Sequence, residues 1–154
     1  MINRRTIQFL ALAGSAGLLL GALAFEHLGG LAPCPLCIWQ RWPHVVALAG
    51  VGALFLPGLI WPLIGAAGAG GSGVLGVYHS GVERGWWDGP SACAAGGDIS
   101  GLSAEELLAQ IMAAPVVRCD EVPWEMLGLS MASWNAVLSC AIAGLWLASL
   151  RQRG

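Results

Sequence analysis

The chain has 154 residues, of which 56% are hydrophobic and only 10% charged, and its mean hydropathy is +0.70. Soluble domains carry about 25% charged residues, so this composition cannot cover a water-facing surface, which excludes a soluble enzyme and a disordered linker. Its seven basic residues are all arginine against nine acids, which leaves no basic patch for nucleic acid.

Four apolar stretches follow one another along the chain, at about 6–25, 38–56, 60–78 and 131–150. Each approaches the ~20 residues that cross a hydrocarbon core at about 1.5 Å rise per residue. A bilayer offers the backbone no hydrogen-bond partner, so the stretches are expected to be helices. The expected fold is therefore an all-α membrane protein, a single domain over 1–154 built as a four-helix transmembrane bundle. Arg4 and Arg5 precede the first stretch, Arg151 and Arg153 follow the fourth, and every acid lies between Glu26 and Glu125. The positive-inside rule then puts both termini in the cytoplasm, with loops of about 26–37 and 80–130 outside. Arg4-Arg5 ahead of a run ending Ala22-Leu23-Ala24 also has the outline of an export signal, but the run exceeds the ~7–15 residues of a signal core.

Within the first stretch Gly17 and Gly21, and within the third Gly65, Ala69 and Gly73 beside Gly68, Ser72 and Gly76, recur at four-residue spacing. Small residues so spaced let helix backbones approach closely. Trp39, Trp42 and Trp134 on the outer side, with Trp61 and Trp146 on the inner, are expected as an interfacial belt.

Five cysteines remain to be explained. Cys140 falls mid-span, where it is expected to pack as a small hydrophobe. Cys34, Cys37, Cys93 and Cys119 lie in the two outer loops, and thiols outside a bacterial inner membrane tend to be disulfides or redox-active. Cys34-Pro35-Leu36-Cys37 is a C-x-x-C pair, a spacing that lowers thiol pKa and eases reversal of oxidation. A zinc site is the competing reading, but Cys93 and Cys119 form no close ligand pair, so no metal is expected. No βαβ pattern surrounds the motif, which excludes a thioredoxin-like domain. If the second helix starts near Ile38, Arg41 shares a face with Cys37, with β-carbons roughly 5–6 Å apart. There the guanidinium either favours the Cys37 thiolate and donates to a carbonyl, or snorkels as an anchor. His79, with Tyr78 and Glu83, stands at the outer end of the third stretch, placed either to handle protons for a reduced acceptor or to cap the helix. His27 and His44 are similarly placed. In the second loop Ser103 and Glu106 fit a capping box, with Leu102 and Leu107 as a hydrophobic staple, opening a short amphipathic helix that ends before Pro115.

The run Pro33-Cys34-Pro35-Leu36-Cys37-Ile38-Trp39-Gln40-Arg41 resembles the signature of the disulfide bond formation protein B (DsbB) family. Cys119-Asp120-Glu121-Val122-Pro123-Trp124-Glu125-Met126-Leu127-Gly128-Leu129-Ser130-Met131 is similar to the segment around that family's last loop cysteine, and Phe25-Glu26-His27 also fits. The resemblance implies an inner-membrane oxidoreductase that takes electrons from a periplasmic DsbA-like dithiol protein and passes them to ubiquinone or menaquinone. It also implies Cys34/Cys37 as the quinone-side pair, Cys93/Cys119 as the partner-side pair, and Arg41 as a quinone contact, with His79 as a lesser candidate. Two other readings of the residues stay open: a non-catalytic membrane subunit stapled by structural disulfides, and an oxidase dedicated to one secreted client.

Overall fold

The computed structural model describes residues 3–93, 103–113 and 117–152. The protein is mostly helical. Helix α1 spans Arg4–His27, α2 Pro35–Leu48, α3 Gly52–Phe55, α4 Ile60–Glu83, α5 Ala104–Ala113 and α6 Met131–Arg151. Three of these, α1, α4 and α6, are long and apolar enough to cross a membrane.

Each helix start has a local cause. The Asn3 side chain accepts the Thr6 amide ahead of α1, and the Ser130 hydroxyl accepts the Ser133 amide ahead of α6, satisfying N–H groups that no helical carbonyl can reach. Cys34 does the same for α2, its sulfur accepting the Cys37 amide at 3.1 Å, with Pro35 in the first turn. Proline suits that position because its missing N–H costs no helical bond. The second helical segment therefore starts three residues earlier than Ile38. It is also not one helix: α2 passes through a 3-10 turn at Ala49–Val51 into the short α3. Gly50 and Gly52 sit at that break, packed under the rings of Trp146 and Trp61. Helix α4 runs five residues beyond Tyr78, which carries His79 and Glu83 into the helix rather than the loop.

The small-residue stripes of α4 act as the spacing predicts. A methyl group on Gly68 would meet the backbone of Pro43 and Ala47 in α2 at 2.5–2.8 Å, and one on Gly76 the backbone of Ala132 and Ala136 in α6 at 2.9–3.0 Å. The pair in α1 does not: a Cβ on Gly17 or Gly21 meets nothing within 4 Å. Trp146 is also not interfacial. It is fully buried, in a core with Ala11, Leu12, Ala47, Ala69 and Ile142, lying over Gly65 and Gly50. Cys140, expected to be packed, is exposed.

Overpacking typically costs ~1–3 kcal/mol. Gly68→Ala is therefore expected to lower the melting temperature in detergent, because the obstacle is backbone and cannot rotate away. Gly17→Ala is expected to leave it unchanged, and thermal unfolding of the two variants side by side checks this.

Ser103 and Glu106 form the capping box of α5: the Glu106 carboxylate accepts the Ser103 amide at 2.8 Å and the Ser103 hydroxyl accepts the Glu106 amide. Leu102 and Pro115 lie outside the described residues. Leu108 and Met112 of this helix are exposed. Strands β1 (Glu125–Met126) and β2 (Leu129–Ser130) form a small antiparallel hairpin that leads into α6. Its turn, Leu127-Gly128, has both residues at positive φ, 54° and 76°, as a tight hairpin turn requires.

Candidate functional site

The four loop cysteines converge on one buried cluster. Cys34, Cys93 and Cys119 are buried together with Leu36 and Val82, and Cys37 packs against them. Cys93 and Cys119 are joined in a disulfide, while Cys34 and Cys37 are free thiols. The chain beyond α4 is folded back to deliver Cys93. Trp87 stacks on Tyr78 and its indole donates to the Tyr78 carbonyl at 2.8 Å, while the Tyr78 hydroxyl donates to the Asp88 carbonyl at 3.1 Å. Gly81 admits the Trp87 ring against the helix.

His79 sits at the centre of this cluster. The Cys34 sulfur, a Cys119 ligand atom and a His79 ring nitrogen lie within 4.8 Å of one another. This is a metal-like grouping that the loop spacing did not reveal, but the Cys119 sulfur is already bonded to Cys93. The proton positions follow from two backbone carbonyls, which can only accept. Gln40 Nε2 donates to the Leu36 carbonyl at 3.1 Å, which fixes the amide's orientation, and its second hydrogen goes to His79 Nδ1 at 2.8 Å. The ring proton of His79 is thereby on Nε2, which donates to the Cys119 carbonyl at 3.2 Å and faces the Cys34 sulfur at 3.6 Å.

Cys34 and Cys37 lie ahead of Ile38, at the outer end of α2. The Cys37 thiol is lowered from its ordinary range, chiefly by the hydrogen bond from the Cys34 side chain, and Cys34 is correspondingly raised. Arg41 contributes to lowering Cys37 but is the smallest contributor. The neighbouring thiol, rather than the guanidinium one helical turn away, is thus the main influence on Cys37. In the reduced protein, iodoacetamide is expected to modify Cys37 ahead of Cys34, with a half-point below the ~8.5 of a free thiol. Peptide mapping across a pH series checks both.

Arg41 is held by Glu26 at the end of α1, while its Nε is buried and unpartnered among the described residues. Cys37 and Arg41 open together onto a cavity of about 400 Å³, bounded by Gly17, Gly21 and Phe25 of α1, Leu31, and Trp134 and Leu138 of α6. That volume lies within the range of small-molecule sites. The openness at Gly17 and Gly21 is the cavity itself: a stripe that reads as a helix-packing surface instead provides room. Phe25 packs on Trp124 with ring centroids 5.2 Å apart, closing the outer side. Arg118 pairs with Asp120 and so gives little charge to the neighbouring Cys119.

Spacing alone did not single out Gln40, Asn135 and Ser139, offered Ser72 only as part of a small-residue stripe, and left His44 unranked beside His79. All are polar residues within apolar stretches, and such residues are by default functional candidates in a membrane. The structure joins them. Asn135 Nδ2 donates to Gln40 Oε1 at 2.7 Å, and the Ser72 hydroxyl donates to the Gln40 carbonyl at 2.9 Å. His44 Nε2 lies 3.2 Å from Asn135 Oδ1 and 3.0 Å from the Ser139 hydroxyl.

A helical membrane protein that gathers a free dithiol and a disulfide around one histidine, beside an apolar cavity, is of the class that makes disulfide bonds. The chain belongs to the DsbB family: the family profile for disulfide bond formation protein DsbB matches residues 4–149. It is 34% identical to disulfide bond formation protein B of Albidiferax ferrireducens, over 97% of this chain and 88% of that one. The protein of that name from Xanthomonas campestris pv. campestris is 35% identical over 90% and 86% of the two chains, and that from Stutzerimonas stutzeri 30% over 95% of each. The protein is thus a membrane disulfide-forming oxidoreductase.

Proposed function

We propose that the protein reoxidises a periplasmic DsbA-like dithiol protein and passes the electrons to membrane quinone. It would do so as a four-span inner-membrane bundle with both termini cytoplasmic. The 3-10 turn allows α2 from Ile38 onward and α3 together to serve as the second span, with Cys34 and Cys37 outside it, since the chain from Pro35 to Phe55 is nearly continuous helix. The observation that carries the reading is the position of Cys37, between the thiol cluster on one side and the apolar cavity with Arg41 on the other.

The exchange runs in four balanced steps. A partner thiolate attacks Cys93, forming a mixed disulfide and releasing Cys119 as a thiolate. Cys119 attacks Cys34 of a Cys34–Cys37 disulfide, forming a Cys34–Cys119 bond and releasing the Cys37 thiolate. The partner's second thiolate displaces Cys93 and leaves as a disulfide. Cys93 then attacks Cys119, restoring their bond and leaving Cys34 and Cys37 as the dithiol. Cys37 is suited to be the leaving sulfur, because the lower-pKa thiol leaves faster. His79 Nε2–H faces the Cys34 sulfur and can donate to negative charge there.

A membrane quinone would supply a two-electron sink of sufficient potential for a partner near −120 mV, where each 30 mV of mismatch is about 1.4 kcal/mol. The cavity fits such a head group: its walls are apolar, and Arg41 Nε is a buried donor awaiting an acceptor. Ubiquinone and menaquinone both offer a carbonyl to it. Full-length protein in detergent is expected to reduce a short-chain quinone only when a reduced thioredoxin-like dithiol protein is supplied. Turnover that is independent of quinone would overturn the reading.

A further inference from the structure

His44 is only 2% exposed, lines the same cavity as Cys37 and Arg41, and takes no part in the exchange described above. Its Nδ1 is buried and unpartnered among the described residues. The protonation of the ring follows from the hydrogen-bonded chain that also fixes His79. Gln40 Nε2 is anchored on the Leu36 carbonyl, so Gln40 presents Oε1 to Asn135 Nδ2. Asn135 therefore presents Oδ1 to His44, at 3.2 Å from Nε2. Because Oδ1 only accepts, Nε2 carries the ring proton. The neutral ring is left with a lone pair on Nδ1, a buried acceptor with no donor among the described residues, on a side chain that lines the cavity.

Two orphaned atoms of opposite character thus belong to residues that line one cavity. Arg41 Nε–H needs an acceptor and His44 Nδ1 needs a donor. A quinone carries only carbonyl acceptors, so it satisfies the first and leaves the second unpaired. The reduced head carries hydroxyls, each both donor and acceptor, and satisfies both. A buried polar group left without a partner discriminates strongly between otherwise similar ligands.

Building on the function proposed above, we infer that His44 Nδ1 accepts a hydrogen bond from a hydroxyl of the reduced acceptor, so that the cavity binds quinol more tightly than quinone. His44 is then a specificity-determining residue for the redox state of the ligand, held in the right tautomer by Asn135 and, through it, by Gln40. Favouring the reduced form in the site also draws electrons toward the acceptor.

The test uses full-length protein in detergent under anaerobic conditions, titrated calorimetrically with a short-chain ubiquinone and with its quinol. His44→Leu keeps the apolar bulk and removes the acceptor. It is expected to weaken quinol binding about tenfold, the order of one buried hydrogen bond, and quinone binding less than twofold. Equal losses for both ligands, or none for either, would overturn the assignment. A second readout needs no variant at position 44: with 15N-labelled histidine, the His44 Nδ1 resonance of the unmodified site is expected to move on adding quinol and to stay in place with quinone. Movement with both ligands alike, or with neither, also overturns it. If neither ligand binds the wild-type protein, the quinone function falls together with this inference. If both bind and only the preference is missing, His44 alone loses its role.

Discussion

In a Cys37→Ala variant, a covalent bridge between Cys34 and Cys119 is expected to accumulate as the main species under non-reducing conditions. The exchange needs no external oxidant. The Cys34 thiolate attacks Cys119 in its disulfide with Cys93, the Cys34–Cys119 bond forms, and Cys93 leaves as the thiol. In the wild-type protein Cys37 competes by attacking Cys34, which expels the Cys119 thiolate and moves the disulfide to Cys34–Cys37; the variant removes that competitor. Geometry favours Cys119 over Cys93 as the target, since Cys34 and Cys119 already present their sulfurs within 4.8 Å in a site that excludes water. Reacting atoms held close need little further ordering, which accounts for much of the rate of intramolecular steps. His79 Nε2–H, 3.6 Å from the Cys34 sulfur, would favour the attacking thiolate. Peptide mapping is expected to find the 34–119 linkage with Cys93 open to alkylation. A persistent 93–119 bond with free Cys34 would mean the two pairs do not communicate.

The parts of this fold that were legible in the sequence were those set by local pattern. Hydropathy located the helices, four-residue spacing located the Gly68 and Gly76 contacts, and a Ser-x-x-Glu pattern located the start of α5. The misreadings arose where two distant segments decide the outcome. Trp146 looks interfacial by its position near a span end, yet Gly50 and Gly65 on two other helices leave a slot for its ring. Gly17 and Gly21 carry the same spacing as the packed glycines of α4, and no pattern within α1 tells that its partner helix is withheld there to leave a cavity. The hairpin at 125–130 was hidden because Leu127 supplies one of its two positive φ angles, a role leucine rarely fills. Among the site residues, C-x-x-C and Arg41 were legible because they stand within about two helical turns of one segment. The His79–Gln40–Asn135–His44 chain spans three helices, and its only sequence trace is the cost of placing polar side chains in apolar stretches.

Arg41→Ala is expected to raise the KM for quinone by about ten- to a hundredfold while the protein still folds and inserts. A hydrogen bond to a charged donor contributes ~1.5–3 kcal/mol when its partner would otherwise be left buried and unsatisfied, and every 1.4 kcal/mol is a factor of about ten. The guanidinium divides its work: one terminal nitrogen is committed to Glu26, while Nε is buried without a partner among the described residues, on a side chain that lines the cavity. A lysine can serve only one of these tasks at a time, since its ammonium is a point charge without the planar fork. Arg41→Lys is accordingly expected to recover only part of the loss. Glu26→Gln provides the separating control. It removes the anchoring charge and leaves Nε in place, so it is expected to raise KM much less than Arg41→Ala, with melting temperature falling modestly. Steady-state quinone titrations of the three variants, each checked for insertion, give the ranking Arg41→Ala above Arg41→Lys above Glu26→Gln. If instead all three leave KM at its wild-type value, Arg41 serves only to tie α2 to the end of α1.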